Sequence, residues 1–328
     1  MGIIRKIFGK LPISEKSRAH LRSFYRTMKA KNPNNIVTIY GKNQILSKVE
    51  GSVKKVSAVI PNYNYARYLK ERVDSILFQT YPVMEIIILD DGSTDNSLEI
   101  IDDCIRYNPT DIPIRLVKNK RNSGSVFTQW QKAFQEAGGD YVWIAEADDS
   151  CNARFLETVM QGFEDEGVVI SYCESLTMDE NNVLMMKDLR MWIDLFATGK
   201  WEHDYIKDGV DEVAESMCIN NTIANVSGAV IKNDDYFAIL EGAKEYRLAG
   251  DWYTYMNILK RGKIAYFKES LNYHRLQTQG LTLSTSHEEE FGEIVRLQDF
   301  AINHFDISDR TKEMIYTRRE RERVRFGL

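Results

Sequence analysis

From Val56 onward the chain repeats one pattern four times. A short apolar run rich in β-branched residues ends in a polar or acidic break, and a segment with apolar residues at helical spacing follows. Val56 to Ile60 stops at Pro61-Asn62-Tyr63-Asn64, and Leu69, Val73, Ile76 and Leu77 then share one helical face. Glu85 to Leu89 closes on Asp90-Asp91-Gly92-Ser93-Thr94-Asp95, before Leu98, Ile101 and Ile105. Ile114 to Val117 leads through Asn122-Ser123-Gly124-Ser125 into a helix through Trp130 to Ala137. The fourth run, Tyr141 to Ala145, follows Gly138-Gly139 and meets Glu146, Asp148 and Asp149. Strands alternating with helices predict an α/β fold: a mixed, mainly parallel sheet with helices on its faces. Ligands of such sheets bind beyond the C-terminal strand ends. The clusters 61–64, 90–95 and 146–149 all fall there.

The second half is less regular. Val168 to Ser171 and Asn225 to Ile231 read as strands, with Trp192 and Trp201 between them; indoles stack on sugar rings, and equally serve in cores. Asp251, after Gly250, precedes an amphipathic helix bearing Tyr255, Ile258 and Leu259, where an Asp is ordinarily an N-cap. Residues 287–328 read as two polar helices; the run Arg318, Arg319, Arg321, Arg323, Arg325 is either a solvated face or a contact with membrane or partner. At the other end, 1–31 carries nine Lys/Arg against Glu15 alone, around apolar stripes such as Ile3, Ile4, Ile7, Phe8 and Leu11. That pattern suits a helix on an anionic membrane surface, or one docked on the main domain with its charges in water. A polar connector, 32–52, follows.

Composition narrows the choice. With 328 residues, 43% hydrophobic and 11% aromatic, the chain has enough apolar side chains for a sizeable core. A net charge of −5 argues against a nucleic-acid binder. Four scattered cysteines without C-x-x-C spacing suit reduced thiols in a cytoplasmic protein. No apolar run is long enough to span a bilayer, and the N-terminus lacks a signal-peptide core.

Three carboxylates at one strand end repel one another unless a cation sits among them or the turn is simply solvated. Mg²⁺ or Mn²⁺ suits such a site, because it takes one or two protein carboxylates and completes its shell with water and phosphate oxygens. There is no Walker A loop and no G-x-G-x-x-G to cradle phosphates. A nucleotide diphosphate held at its base by the first two loops and at its phosphates by the ion accounts for all three clusters.

These motifs resemble glycosyltransferase family 2, inverting enzymes of the GT-A fold, over about Val56 to Thr282. Val-Ile-Pro-Asn-Tyr-Asn (59–64), Leu-Asp-Asp-Gly-Ser-Thr-Asp (89–95), Asn-Ser-Gly (122–124) and Ala-Glu-Ala-Asp-Asp (145–149) follow the family's order and spacing. The resemblance implies that Pro61, Asn62, Tyr63, Asn64 and Asp91 line the nucleoside pocket, with Asn122, Gly124 and Asp148 also on the nucleotide-sugar. It implies a D-x-D-type metal site of Asp149, Asp148 and Glu146, the last a Glu where the motif often has Asp. Asp251 takes the catalytic base's place. Asn272 to Gln277 with Leu281-Thr282 matches a closing segment that often has histidine where Gln277 stands, leaving His274 or Arg275 to approach the diphosphate.

The expected protein is therefore a metal-dependent inverting glycosyltransferase. It moves a sugar from a nucleotide-diphosphate sugar to the hydroxyl of a saccharide or lipid-linked saccharide, in surface polysaccharide assembly. It is cytoplasmic, with 1–31 as the candidate contact to the inner membrane face. The expected division is a basic extension and connector (1–52), a GT-A domain (53–285, its nucleotide-sugar half 53–150 and acceptor half 151–285) and a helical tail (286–328). The rivals are a sugar nucleotidyltransferase and a non-catalytic binding module of the same fold.

Overall fold

A computed structural model describes residues 53–186, 188–196, 198–277 and 286–328. The basic extension, the connector and the Leu281-Thr282 segment lie outside the described residues.

The four predicted strands form, the first three paired with helices: β1 (Val56–Asn62) and α1 (Ala66–Leu77), β2 (Glu85–Asp90) and α2 (Ser97–Arg106), β3 (Ile114–Lys118) and α3 (Val126–Glu136), then β4 (Tyr141–Ile144). The sheet order is β3-β2-β1-β4-β9-β6-β10-β5, where β5 is Ser150–Cys151, β6 Val168–Met178, β9 Ala229–Lys232 and β10 Lys263–Arg275. Two short strands, β7 (Leu184–Met186) and β8 (Tyr205–Asp208), add to β6 and β10. The ladders among β1 to β4 and between β6 and β10 are parallel; β9 joins the two blocks antiparallel.

Alternation within the strands explains why they read as unbroken apolar runs. Val59, Ile87, Leu89, Val142 and Ile144 face one core with Phe127, Trp130, Ala133 and Phe134 of α3. Val56, Ala58, Ile60, Ile86, Ile88 and Trp143 face the other, with Leu69, Val73 and Ile76 of α1 and Ile101 of α2. Both faces are covered, so neither needs polar residues. α1 and α2 cover one face and α3 the other, and the strand order β3-β2-β1-β4 reverses its direction of growth between β1 and β4, the point at which such sheets open a crevice at the C-terminal strand ends.

The second half departs from expectation in three places. Val168 to Ser171 extends to an eleven-residue strand. Asn225 is not in a strand: its Oδ1 accepts from Ser227 N at 2.9 Å and caps a 3-10 turn, Val226–Gly228, so the strand begins at Ala229. A side-chain acceptor that offers the backbone a local partner ends the ladder there. The 13-residue β10 was not anticipated as a strand. Lys268 and Glu269 break its apolar pattern, and register shifts against β6 between Phe267 and Asn272 absorb them.

The two polar helices at the C-terminus form as α7 (His287–His304) and α8 (Asp309–Phe326), following α4 (Phe155–Val159), α5 (Phe237–Ala243) and α6 (Gly250–Ile258). Their Leu297, Ala301, Phe305, Ile307 and Ile315 join the same core as α3 and α6. The arginine run is therefore not a free basic face. Arg318 is buried against Glu322, Arg319 pairs with Asp299 at 2.6 Å, Arg325 with Glu322 at 2.7 Å and Arg323 with Glu320 at 3.0 Å. Trp201 is core, its Nε1 donating to the Tyr172 hydroxyl at 3.2 Å. Trp192 is exposed and lies under Arg325. Among the described residues no helix is long and apolar enough to cross a membrane.

Candidate active site

The loops after β1, β2 and β3 are tied together at the crevice. Asn62 is buried, and its Nδ2 donates to Asp90 Oδ1 at 3.0 Å and Ser93 Oγ at 3.1 Å. Asn64 takes a left-handed backbone (φ 61°), and its Oδ1 accepts from Thr94 N at 2.7 Å. Asp91 is buried and accepts from Asn119 Nδ2 at 2.5 Å, Ser123 N at 3.0 Å and Ser123 Oγ at 2.7 Å. Gly92 has φ 76°, and a Cβ there would come within 2.9 Å of the Arg121 and Asn122 backbone. Asn122 accepts from Gly124 N at 2.6 Å, which leaves both at the exposed rim. Pro61 is buried at the end of β1, and Tyr63 projects into solvent. Asn62, Asn64 and Asp91 thus spend much of their hydrogen-bonding capacity on loop shape.

The acidic strand end gathers the expected acids. Asp149 is 1% exposed; its Oδ2 accepts from Asn225 Nδ2 at 3.0 Å and its Oδ1 from Arg275 N at 2.9 Å, with His274 Nδ1 at 3.4 Å. Burial opposes its charge, but His274 and the nearby Arg72 outweigh it and hold the carboxyl below the usual range. Asp148 is half-buried and accepts from Gln277 Nε2 at 2.8 Å, so Gln277 reaches the acids. Burial and the neighbouring Asp149 push Asp148 up. Burial, then Asp148 and Asp149, raise Glu146 to about 8. No set of three ligands is preassembled among the described residues. Even so, the donor set fits a hard divalent ion held by one or two carboxylates and completed by phosphate oxygens, and the acids' mutual repulsion marks missing positive charge.

Three residues the sequence did not single out hold this end in place. Asn225 bridges Asp149 and His274, the latter at 2.6 Å; Ser227 Oγ accepts from Glu146 N at 3.0 Å. Arg72 is fully buried over the Trp143 ring at 4.9 Å, its three guanidinium nitrogens without a hydrogen-bond partner, and its charge favours ionised Asp149 and Glu146. Asn225 and Ser227 were hidden by the strand reading of 225–231. Arg72 looked like one more charge on an amphipathic helix.

Arg275 departs from the expected diphosphate contact. It is 2% exposed, stacked on Tyr68, with Nε donating to Asp148 O at 2.6 Å, Nη1 to Asp179 O at 3.2 Å and Nη2 to Glu71 at 3.3 Å. Its guanidinium fastens the β6–β7 hairpin, and what it offers the acids is its backbone N–H. His274 remains half-buried beside Asp149.

Asp251 sits in the first turn of α6 without capping it; its Oδ1 accepts from Trp252 N at 2.7 Å and its Oδ2 from Asn221 Nδ2 at 2.9 Å. A helix start favours an ionised acid, but burial wins here and raises Asp251 to about 6, with Glu293 adding to the rise. The buried Tyr255 hydroxyl has no hydrogen-bond partner and feels the charge of both Asp251 and Glu146. Its ring lies 6.2 Å from that of Trp130, whose indole favours ionised Glu146.

Residues 57–221, half of the chain, match the model of glycosyl transferase family 2. The chain belongs to glycosyltransferase family 2. A putative teichuronic acid biosynthesis glycosyltransferase, TuaG of Bacillus subtilis, is 25% identical over 69% of this chain and 81% of its own length. Several other curated glycosyltransferases, 31–36% identical, align over only 34–41% of their own lengths. Among solved structures, S. aureus TarS with UDP-GlcNAc matches 83% of this chain and 73% of its own at TM-score 0.59 and 18% identity. The mannosyltransferase PcManGT of Pyrobaculum calidifontis, with GDP-Man and Mn²⁺, matches 92% and 79% at TM-score 0.55 and 16% identity. These neighbours share the α/β fold built here around β1 to β4.

Proposed function

We propose that this family-2 protein transfers a sugar, with inversion, from a nucleotide-diphosphate sugar to an acceptor hydroxyl, with Asp251 as general base. What supports the reading is a carboxylate in the first turn of α6 that burial raises to about 6, linked to the acidic strand end by the buried Tyr255, which feels the charge of both Asp251 and Glu146. An acid with that pKa is ionised at neutral pH yet basic enough to take a proton. Asp251 accepts the acceptor hydroxyl's proton as its oxygen bonds to the anomeric carbon. The bond from that carbon to the diphosphate breaks on the opposite face, and the nucleoside diphosphate leaves with the electron pair. Asp149, with Asp148 and Glu146, would hold Mn²⁺ or Mg²⁺, and His274 stands beside them. Such an ion supplies charge neutralisation for the departing diphosphate.

UDP-GlcNAc and GDP-mannose are the first donors to test, because fold neighbours bind them. The likeness to a teichuronic acid enzyme supports a surface-polymer acceptor. A membrane-surface contact through 1–31 would suit a lipid-linked one, at a cytoplasmic site on the inner face of the membrane.

The test is Asp251→Asn. Donor binding, read as a Mn²⁺-dependent rise in melting temperature, stays near wild type. Turnover falls by about 10² to 10⁴. In the wild type, turnover also drops as pH falls through about 6, where Asp251 takes up its proton. Wild-type turnover in the variant, or an acid limb that does not involve Asp251, overturns the assignment.

A further inference from the structure

The helix that carries Asp251 has no cap of its own: Ala249 precedes it and offers no side-chain acceptor. A residue 42 positions beyond Asp251 holds the turn that leads into the helix. Glu293, on α7 and 8% exposed, accepts from Leu248 N at 3.0 Å and Ala249 N at 2.9 Å, and also from Arg247 N. These are the consecutive amides of the turn that leads into the helix, ending at its N-cap Ala249, and an ionised carboxylate is a strong partner for them. The same two C-terminal helices grip the segment bearing Asn221, the other partner of Asp251. Gln298 Nε2 donates to Ile219 O at 2.9 Å, and Arg318 Nη2 to Asn220 Oδ1 at 3.4 Å. Arg296 adds a 2.8 Å bond to Glu245 O and covers the Tyr246 ring at 3.8 Å.

We infer that Glu293 is a positioning residue for Asp251: it fixes the turn at 247–249 and holds a carboxylate at the start of the helix that carries Asp251. The inference rests on the reading of Asp251 as base. The groups that bear on Asp251 are Asn221 from the 218–221 segment, the Trp252 N–H and Tyr255 hydroxyl from its own helix, and Glu293 from α7. A purely structural Glu293 would affect stability; a positioning one also moves the proton affinity of Asp251. α7 and α8, which lie beyond the residues matched by the family model, then belong to the active site.

Neither donor nor acceptor is needed for the test. The difference in stability between wild type and Asp251→Asn, followed from pH 4 to 8, reports the protonation of Asp251 in the folded protein. The folded pKa lies above the unfolded one, so the wild type loses stability relative to Asp251→Asn as pH rises from about 4 to about 6, then stays at its lower level. Repeated in a Glu293→Gln background, the midpoint falls by at least about half a pH unit. Amide exchange at 247–252 quickens by at least about tenfold while β1 to β4 stay protected. Glu293→Asp, which keeps the charge but withdraws it from the amides, quickens exchange with a smaller change of midpoint; it serves if Glu293→Gln does not fold. An unmoved midpoint together with unchanged exchange overturns the inference. Should both move while Asp251→Asn turns over at the wild-type rate, the coupling stands and the base assignment falls. If Asp251→Asn is inactive and neither readout moves, the coupling alone is lost.

Discussion

A guanidinium buried without a hydrogen-bond partner is rare enough to need a reason, and at Arg72 the reason is charge. Glu146, Asp148 and Asp149 crowd one strand end, and Arg72 favours the ionised forms of Glu146 and Asp149 from beneath the sheet. It acts as a resident counter-cation. Arg72→Met, similar in reach but uncharged, should melt lower than wild type without metal, and Mn²⁺ should raise its melting temperature by more than it raises that of the wild type. A loss traceable only to packing on Trp143 would respond to Mn²⁺ as the wild type does. Single residues show how far a sequence can be read. The acids were visible because three carboxylates at a strand end are conspicuous. Arg72, Asn225 and Glu293 were not, because each owes its position to contacts across the fold. Asn225 meets Asp149 across 76 positions, and no local pattern encodes that distance.

At the scale of elements, the first half was legible nearly to the residue. Four apolar runs bounded by Pro, Asn, Asp and Gly gave strands whose ends differ from expectation by at most two residues. β10 was missed because its middle is charged, and the 226–228 turn because Asn225 caps it instead of continuing the strand. The loop after β2 depends on its glycine in a measurable way. Gly92→Ala must place a Cβ within 2.9 Å of the 121–122 backbone at a positive φ. The left-handed conformation alone costs about 1–2 kcal/mol. The clash pushes the 119–124 loop away from Asp91, so affinity for a nucleoside diphosphate, measured calorimetrically, should drop more than the melting temperature suggests. Equal affinity in the variant would show that the pocket does not depend on this contact.

At the scale of the molecule, the C-terminal helices are continuous with the core. Leu297, Phe305, Ile307 and Ile315 are buried in the cluster that also holds Trp130, Trp252 and Tyr255. Exposing four such side chains loses about 1.5–3 kcal/mol each, against a total stability of about 5–15 kcal/mol for an ordinary domain. Deletion of 286–328 should therefore leave a chain without a cooperative thermal transition by circular dichroism. A truncated protein that melts like the full chain would show those helices to be dispensable to the fold. Polarity hid this in the sequence: α8 is rich in arginine, yet Arg318 is buried on Glu322, and Arg319 and Arg325 pair with Asp299 and Glu290 of α7.

The hydrogen bonds that join the crevice loops bear on how fast and with what thermodynamics a nucleotide can bind. Asn64 to Thr94, Asn62 to Ser93 and Asp91 to Ser123 are made between the loops themselves. The backbone freedom of these loops is therefore surrendered during folding and need not be surrendered again on binding. A nucleotide meeting them should associate in one kinetic phase, without a slow closing step from this side of the crevice. Its entropy of binding should reflect mainly its own restricted motion and the water it displaces.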